Sequence, residues 1–315
     1  MPFPYWRAVL VAMVSLSALI AGAEPSVRVV ATTTVVADLV RQVGGPQVAV
    51  ESLMAEGVDP HSYRATPRDA DRLFRADLVV ANGLHLEGKL AELLTRLGRR
   101  RPVVAVGDAL AEADLLPIGN GLFDPHIWFD AALWSRCPAV VAEALGRVDR
   151  ANAEGYHQRA AAYAERLRTL DATVRASVSN IPPAKRVMIT AHDAFRYFGR
   201  AYGLEVIGVQ GTSTESEAGL ADMNRLVNLV VSRKIPAVFV ETSVSDRNVT
   251  ALQEGAAARG QPIRLGGRLY SDALGPPGSD GETLEQALLA NVKTLVEALV
   301  EGLSDGQPAA EAHHD

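Results

Sequence analysis

The chain has one cysteine, Cys137, among 315 residues. No intrachain disulfide can form, so the fold must be held by packing alone, even in an oxidising compartment. Cysteine-based metal sites and CxxC redox chemistry are excluded with it. There is no basic cluster either: 31 Lys and Arg stand against 37 Asp and Glu, a net charge of −6. Affinity for nucleic acid comes largely from neutralising phosphates, so no nucleic-acid partner is expected. Aromatic residues are scarce, at 5%, which leaves little for the stacked rings that line many organic-solute clefts. No HExxH-type motif of a metallohydrolase occurs. No uncharged apolar run reaches the ~20 residues that a membrane-spanning helix needs.

What is present suits two packed cores. Apolar residues make up 48% of the chain, charges of both signs are mixed, and the length allows two domains of about 120–150 residues each. Residues 1–23 read as an export signal, with Arg7, then an uncharged run from Ala8 to Ala21, then Ala21-Gly22-Ala23 as a small-residue cleavage site. No cysteine adjoins that site, so a cleaved leader without a lipid anchor is expected. Residues 304–315 read as a polar, frayed tail holding His313 and His314.

Between these ends the chain alternates strand and helix. In the first half, strands are expected at 27–31, 48–53, 77–81 and 103–106, with helices at 35–44, 67–75 and 84–97. Residues 107–123 read as a loop. An apolar stripe at spacings of three and four (Tyr156, Ala160, Tyr163, Leu167, Leu170, Val174, Val178) predicts one long helix. It would start from an Asp149 N-cap, stop at Pro182-Pro183, and reach roughly 45 Å. The second half repeats the grammar, with strands at 186–190, 204–209, 236–241 and 263–265. Helices alternate with them, residues 266–281 read as a loop rich in glycine and proline that holds Asp272, and the last helix covers 282–303. The expected fold is therefore α/β: two lobes, each with a four-stranded mainly parallel sheet flanked by helices, joined by one long rigid helix. The expected boundaries are 24–148, 149–181 and 182–303.

Four residues share a position in this scheme. His61, His126, His192 and Asp272 each lie just past the carboxyl end of a strand, the edge where open parallel sheets bind ligands. Two of them belong to repeated Asp-Pro-His triplets, Asp59-Pro60-His61 and Asp124-Pro125-His126, whose prolines restrict the backbone. Imidazole and carboxylate are ordinary ligands for zinc and other first-row divalent ions. If the two edges face one another, these four side chains meet around one ion. Each also has an ordinary reading: a lone histidine is usually a core or surface residue, and a loop aspartate usually makes a turn. Trp128 and Phe129 are placed to shield the ion, and Glu241, at a strand end, to orient a ligating histidine. His85 reads as structural and His157 as solvated.

The motifs narrow the choice. Gly57-Val58-Asp59-Pro60-His61, Asn82-Gly83-Leu84-His85-Leu86-Glu87, Asp124-Pro125-His126-Ile127-Trp128-Phe129-Asp130, Thr190-Ala191-His192-Asp193-Ala194-Phe195 and Tyr270-Ser271-Asp272-Ala273-Leu274 occur in this order. Together they resemble the zinc/manganese solute-binding proteins of bacterial ABC transporters, over almost the whole chain after the leader. The resemblance implies two α/β lobes with the ion between them, a periplasmic location, and docking on a permease in the inner membrane. It implies His61, His126, His192 and Asp272 as ligands, and no enzyme activity; we expect a monomer. Many zinc-specific members carry a histidine-rich loop before the second ligand, whereas 107–123 has no histidine. Zn²⁺ is favoured by a nitrogen-rich four-coordinate set and Mn²⁺ stays open. The other classes weighed are a metal-dependent hydrolase, with Glu241 as its base, and a receptor for an organic solute or adhesin.

Overall fold

A computed structural model describes residues 27–216 and 219–301. The expected leader and the tail with His313 and His314 lie outside the described residues.

The first half builds one parallel sheet. Its strands are β1 (Val27–Ala31), β2 (Val48–Ser52), β3 (Leu78–Ala81) and β4 (Val103–Ala105), in the order β2-β1-β3-β4. The connecting helices are α1 (Thr34–Gly44), α2 (Pro67–Arg75) and α3 (Ala91–Gly98). Their boundaries follow local chemistry. Thr33 caps α1 through the Val36 N–H, and Thr66 and Asp69 form a reciprocal capping box ahead of Pro67 in α2. Alternate residues of the sheet serve two cores: Val29, Ala31, Leu78 and Val80 face one, and Val30 and Val79 the other.

The segment 84–97 departs from the expected single helix. Gly83, Leu84 and His85 have φ of 81°, 53° and 63°, a left-handed turn. The buried Glu87 carboxylate accepts the backbone N–H of Asn82 and Gly83 at 2.8 and 3.2 Å and the Thr32 hydroxyl at 2.6 Å. Those bonds satisfy the backbone locally and delay the helix to Ala91. Residues 107–123 are not a plain loop: they contain the hairpin β5 (Pro117–Gly119) and β6 (Leu122–Phe123). Residues 131–148, to which the sequence reading assigns no element, form α4 (Ala131–Trp134) and α5 (Cys137–Val148).

The long helix is present as α6 (Ala153–Ser179), 27 residues or about 40 Å. Its buried residues include the predicted stripe. Asp149 does not cap it; its carboxylate instead accepts from Asn152 and the Tyr156 hydroxyl, and a single 3₁₀ turn intervenes. α6 packs on α1, α4 and α5 from the first half and on later helices from the second.

The second half contains β7 (Val187–His192), α7 (Arg196–Tyr202), β8 (Glu205–Gln210), α8 (Leu220–Arg233), β9 (Ala237–Glu241), α9 (Arg247–Ala257), β10 (Arg264–Leu269) and α10 (Leu284–Val296). The expected four-stranded sheet is not formed here. Among the described residues, β7 pairs with β8 and β9 with β10, both parallel, and no ladder joins the two pairs, although β7 lies against β9. Hydrophobic pattern reports that a stretch is extended, whereas which edges come within bonding reach is a tertiary matter.

β10 also runs past the glycines that read as the start of a loop. A Cβ on Gly266 would lie 2.6 Å from the Phe239 ring, and one on Gly267, at φ 143°, 2.5 Å from Thr294. The glycines are there because the strand passes close to its neighbours, and its register slips between Leu265 and Gly267.

One continuous apolar cluster joins the inner face of the first sheet, the α6 stripe, Met188, Ala237, Phe239 and the buried side of α10. The two lobes therefore share a core on this side. Among the described residues, no helix is long and apolar enough to cross a membrane.

Candidate metal centre

His61 ends the turn after β2, His126 follows the β5–β6 hairpin, His192 ends β7, and Asp272 follows β10. The structure brings all four together between the lobes, with one potential ligand atom from each lying within 4.8 Å of the others. All four are buried, with exposures of 3% or less. His126 Nε2 lies 3.2 Å from His61 Nε2 and 3.3 Å from His192 Nε2. Asp272 offers Oδ1 at 3.4 Å from His126 Nε2 and Oδ2 at 3.3 and 4.0 Å from His192 and His61. An ion about 2.0–2.1 Å from four tetrahedral donors separates them by about 3.3–3.4 Å. The His61–Asp272 edge is wider.

Both Asp-Pro-His triplets build the same turn. Asp59 Oδ1 accepts the His61 backbone N–H at 2.8 Å, and Asp124 Oδ1 accepts that of His126 at 3.0 Å. This is an Asx turn, the local bond that makes aspartate a turn residue. The triplet carries this turn signal in its aspartate as well as in its proline. Asp124 Oδ1 also contacts His126 Nδ1 at 2.7 Å. Glu241 does the same for His192, taking its backbone N–H at 2.8 Å and lying 2.6 Å from Nδ1.

An Nδ1–H committed to a carboxylate leaves the Nε2 lone pair free. The Nε2 atoms of His126 and His192 face the common centre, beside the Asp272 carboxylate. Ring nitrogens and carboxylate oxygens facing one another in a buried space are an arrangement that a cation satisfies.

The charges respond to this crowding. Burial pushes His61 down to about 4, against the pull of Asp272. Burial also disfavours charge on His126, but Asp124 and Asp272 override it and push the ring up to about 9. His192 is raised in the same way, with Glu241 and Asp272 outweighing burial. Burial works against ionised Asp272, yet the His192 and His126 rings hold its carboxyl well below the usual range. Without an ion, protons on two rings balance the acids.

Further residues fix the four in place. The buried Asn82 side chain donates to the Pro125 carbonyl at 3.0 Å, so the 82–87 turn braces the His126 loop. Trp128 donates to the Ser271 carbonyl at 3.2 Å and sets its ring against His126 at 5.3 Å. Ser243, which no sequence signal singled out, donates to Asp272 Oδ2 at 3.5 Å and accepts the Asp272 N–H at 3.3 Å. His85 and His157 are exposed and lie outside the cluster.

Residues 29–298 match the family model described as zinc-uptake complex component A, periplasmic (ZnuA). The manganese-binding lipoprotein MntA of Bacillus subtilis is 41% identical over 278 residues, 88% of this chain and 91% of that one. The zinc-binding protein TroA of Treponema pallidum is 42% identical over 279 residues, 89% and 91% of the two chains. The solved structure of the periplasmic zinc-binding TroA superposes with a TM-score of 0.85, covering 87% of this chain and 99% of that one.

Proposed function

The chain belongs to the zinc-uptake component A family of periplasmic metal-binding proteins, and from that premise we propose that it captures Zn²⁺ ahead of Mn²⁺ and delivers it to a membrane permease. It is a solute-binding protein of an ABC transporter that coordinates a divalent ion through three histidines and one aspartate, not an enzyme. We assign the ligands to His61, His126, His192 and Asp272. The observation that carries the assignment is the convergence of one ligand atom from each of these four buried side chains within 4.8 Å, with Asp124 and Glu241 standing behind the His126 and His192 rings.

Relatives named for manganese and for zinc are about equally similar, so the donor set decides the preference. Three nitrogens and one carboxylate suit zinc, whereas manganese prefers more oxygen. A carboxylate binding through both oxygens raises the coordination number and narrows that margin. Glu241 is engaged with His192 and does not serve as a free base beside an open coordination position, which argues against the hydrolase reading.

We divide the chain into lobes at 24–148 and 182–303 with a linking helix at 149–181. We take α6 as a stiff strut, since its stripe is buried in the core that both lobes share. The protein would act as a monomer that docks, loaded, on an inner-membrane permease. Elemental analysis of protein purified without chelator, followed by zinc–manganese competition, tests the reading. One ion per chain, retained better as zinc, is expected; a His126→Ala variant that still holds one ion at wild-type affinity overturns the site.

A further inference from the structure

The two sides of the candidate metal centre are closed by different means. On the α6 side the lobes share a dry core. The Phe129 and Phe195 rings lie 4.3 Å apart, Thr34 accepts the Leu274 N–H at 2.8 Å, and Asp38 accepts the Leu284 N–H at 3.1 Å. On the side of the turn carrying His61, the second lobe reaches across with a short segment after β8, residues 211–216. Thr214 donates its hydroxyl to Asp59 Oδ2 at 2.6 Å. Beside it, Glu215 pairs with Lys89 at 3.0 Å, both side chains being more than a third exposed. The segment keeps its shape through Gln210, which donates to the Ser216 carbonyl at 3.2 Å, and Ser213, which accepts the Glu215 N–H at 3.3 Å.

Asp59 is the carboxylate that shapes the His61 turn. Its other oxygen takes the His61 N–H, and Ser62 also donates to Oδ2, at 2.8 Å. Thr214 therefore grips, across the cleft, the residue that aims His61. Among the described residues, the His61 ring meets no carboxylate other than Asp272, whereas His126 and His192 each have a second acid beside them. Any opening of the lobes pivots on the packed side and separates the polar side first, because a few hydrogen bonds at a wet rim cost far less to break than a buried core.

We propose that residues 211–216 are a clasp in which Thr214, through Asp59, holds the His61 turn shut and so sets how long the ion stays, with Lys89–Glu215 as its second contact. Thr214 is a positioning residue and does not touch the ion. The inference rests on the ligand assignment above.

The test is stopped-flow zinc release from the loaded full-length protein into excess chelator, with association measured separately. Thr214→Val removes the charge-assisted bond and keeps the shape. It is expected to release zinc about tenfold faster with association changed less than about twofold, since such a bond acts mainly on dissociation. Thr214→Ser restores the wild-type rate. Lys89→Glu speeds release a few-fold, and Lys89→Glu with Glu215→Lys recovers it. Release from Thr214→Val within about twofold of wild type overturns the clasp while leaving the site standing, as does failure of Thr214→Ser to restore the rate. Wild-type protein that retains no zinc after desalting overturns the ligand assignment, and the clasp with it.

Discussion

Glu241 accepts the His192 backbone N–H at 2.8 Å and lies 2.6 Å from Nδ1 of the same residue, so one carboxylate from the end of β9 sets both the chain and the ring at the end of β7. Asp124 repeats the arrangement on His126 from two residues away. Each acid raises the basicity of the ring it holds as well as orienting it. Replacing Glu241 with Gln or Asp124 with Asn keeps the size and removes the charge. Each is expected to weaken zinc binding by about ten- to a hundredfold, read by competition against a chromogenic chelator, with the far-UV spectrum unchanged. Affinity equal to wild type in both variants would show that the acids serve the backbone alone.

Ion binding and protonation compete for the same Nε2 atoms. In the ion-free protein His126 is pushed up to about 9 and His192 is raised, so at neutral pH an entering ion must expel protons. Apparent affinity therefore falls as pH is lowered from 8 to 5. Calorimetry at pH 7 in buffers of different ionisation enthalpy should report proton release. A flat affinity over that range and no buffer dependence would count against the three-histidine site.

Removal of the ion changes stability in a definite direction. An ion held at a thousand times its dissociation constant stabilises the native state by about 4 kcal/mol. For a chain of this size that corresponds to a rise on the order of 10 °C in Tm, lost on adding chelator and absent in Asp272→Ala. In the ion-free protein the sign with pH follows from His126. Its pKa is raised on folding, so its contribution is complete below the unfolded value near 6.5 and is lost as pH rises through about 9. Differential scanning fluorimetry of chelated protein at pH 6 and pH 9 should show this contribution shrinking; His126→Asn serves as the control that lacks it.

Asn291 supports the Asp272 loop from α10. Its Oδ1 accepts the Tyr270 N–H and its Nδ2 donates to the Tyr270 carbonyl, both at 2.8 Å, in a buried setting. Asn291→Leu strands both backbone groups, at about 1–3 kcal/mol each. A loss of about 2–4 kcal/mol in urea unfolding is expected, together with weaker zinc binding, because Tyr270 is two residues from the proposed ligand Asp272. Unchanged unfolding would show that the loop finds other partners.

Most elements were legible because their signals are local. The α6 stripe and the β-branched run of β1 each bury a face within a few residues. Where reading failed, a distant partner had overridden the local pattern. Glu87 bends 82–87 into a left-handed turn by bonding to Thr32, and Phe239 and Thr294 explain glycines in β10 that look like a loop.

By itself the sequence determined the class of chemistry. It supplies histidines and acids at strand ends, no thiol pair, and aspartates that bend the chain two residues ahead of a histidine. Those properties belong to short stretches and survive without knowledge of the rest. Only the tertiary structure decided that Asp272 joins His61 and that Glu241 stands behind His192. It also decided that Thr214 reaches Asp59, and that β7 and β9 adjoin without forming a ladder. Such contacts depend on how two lobes pack around a shared core, and packing is a property of the whole chain that no window of residues contains.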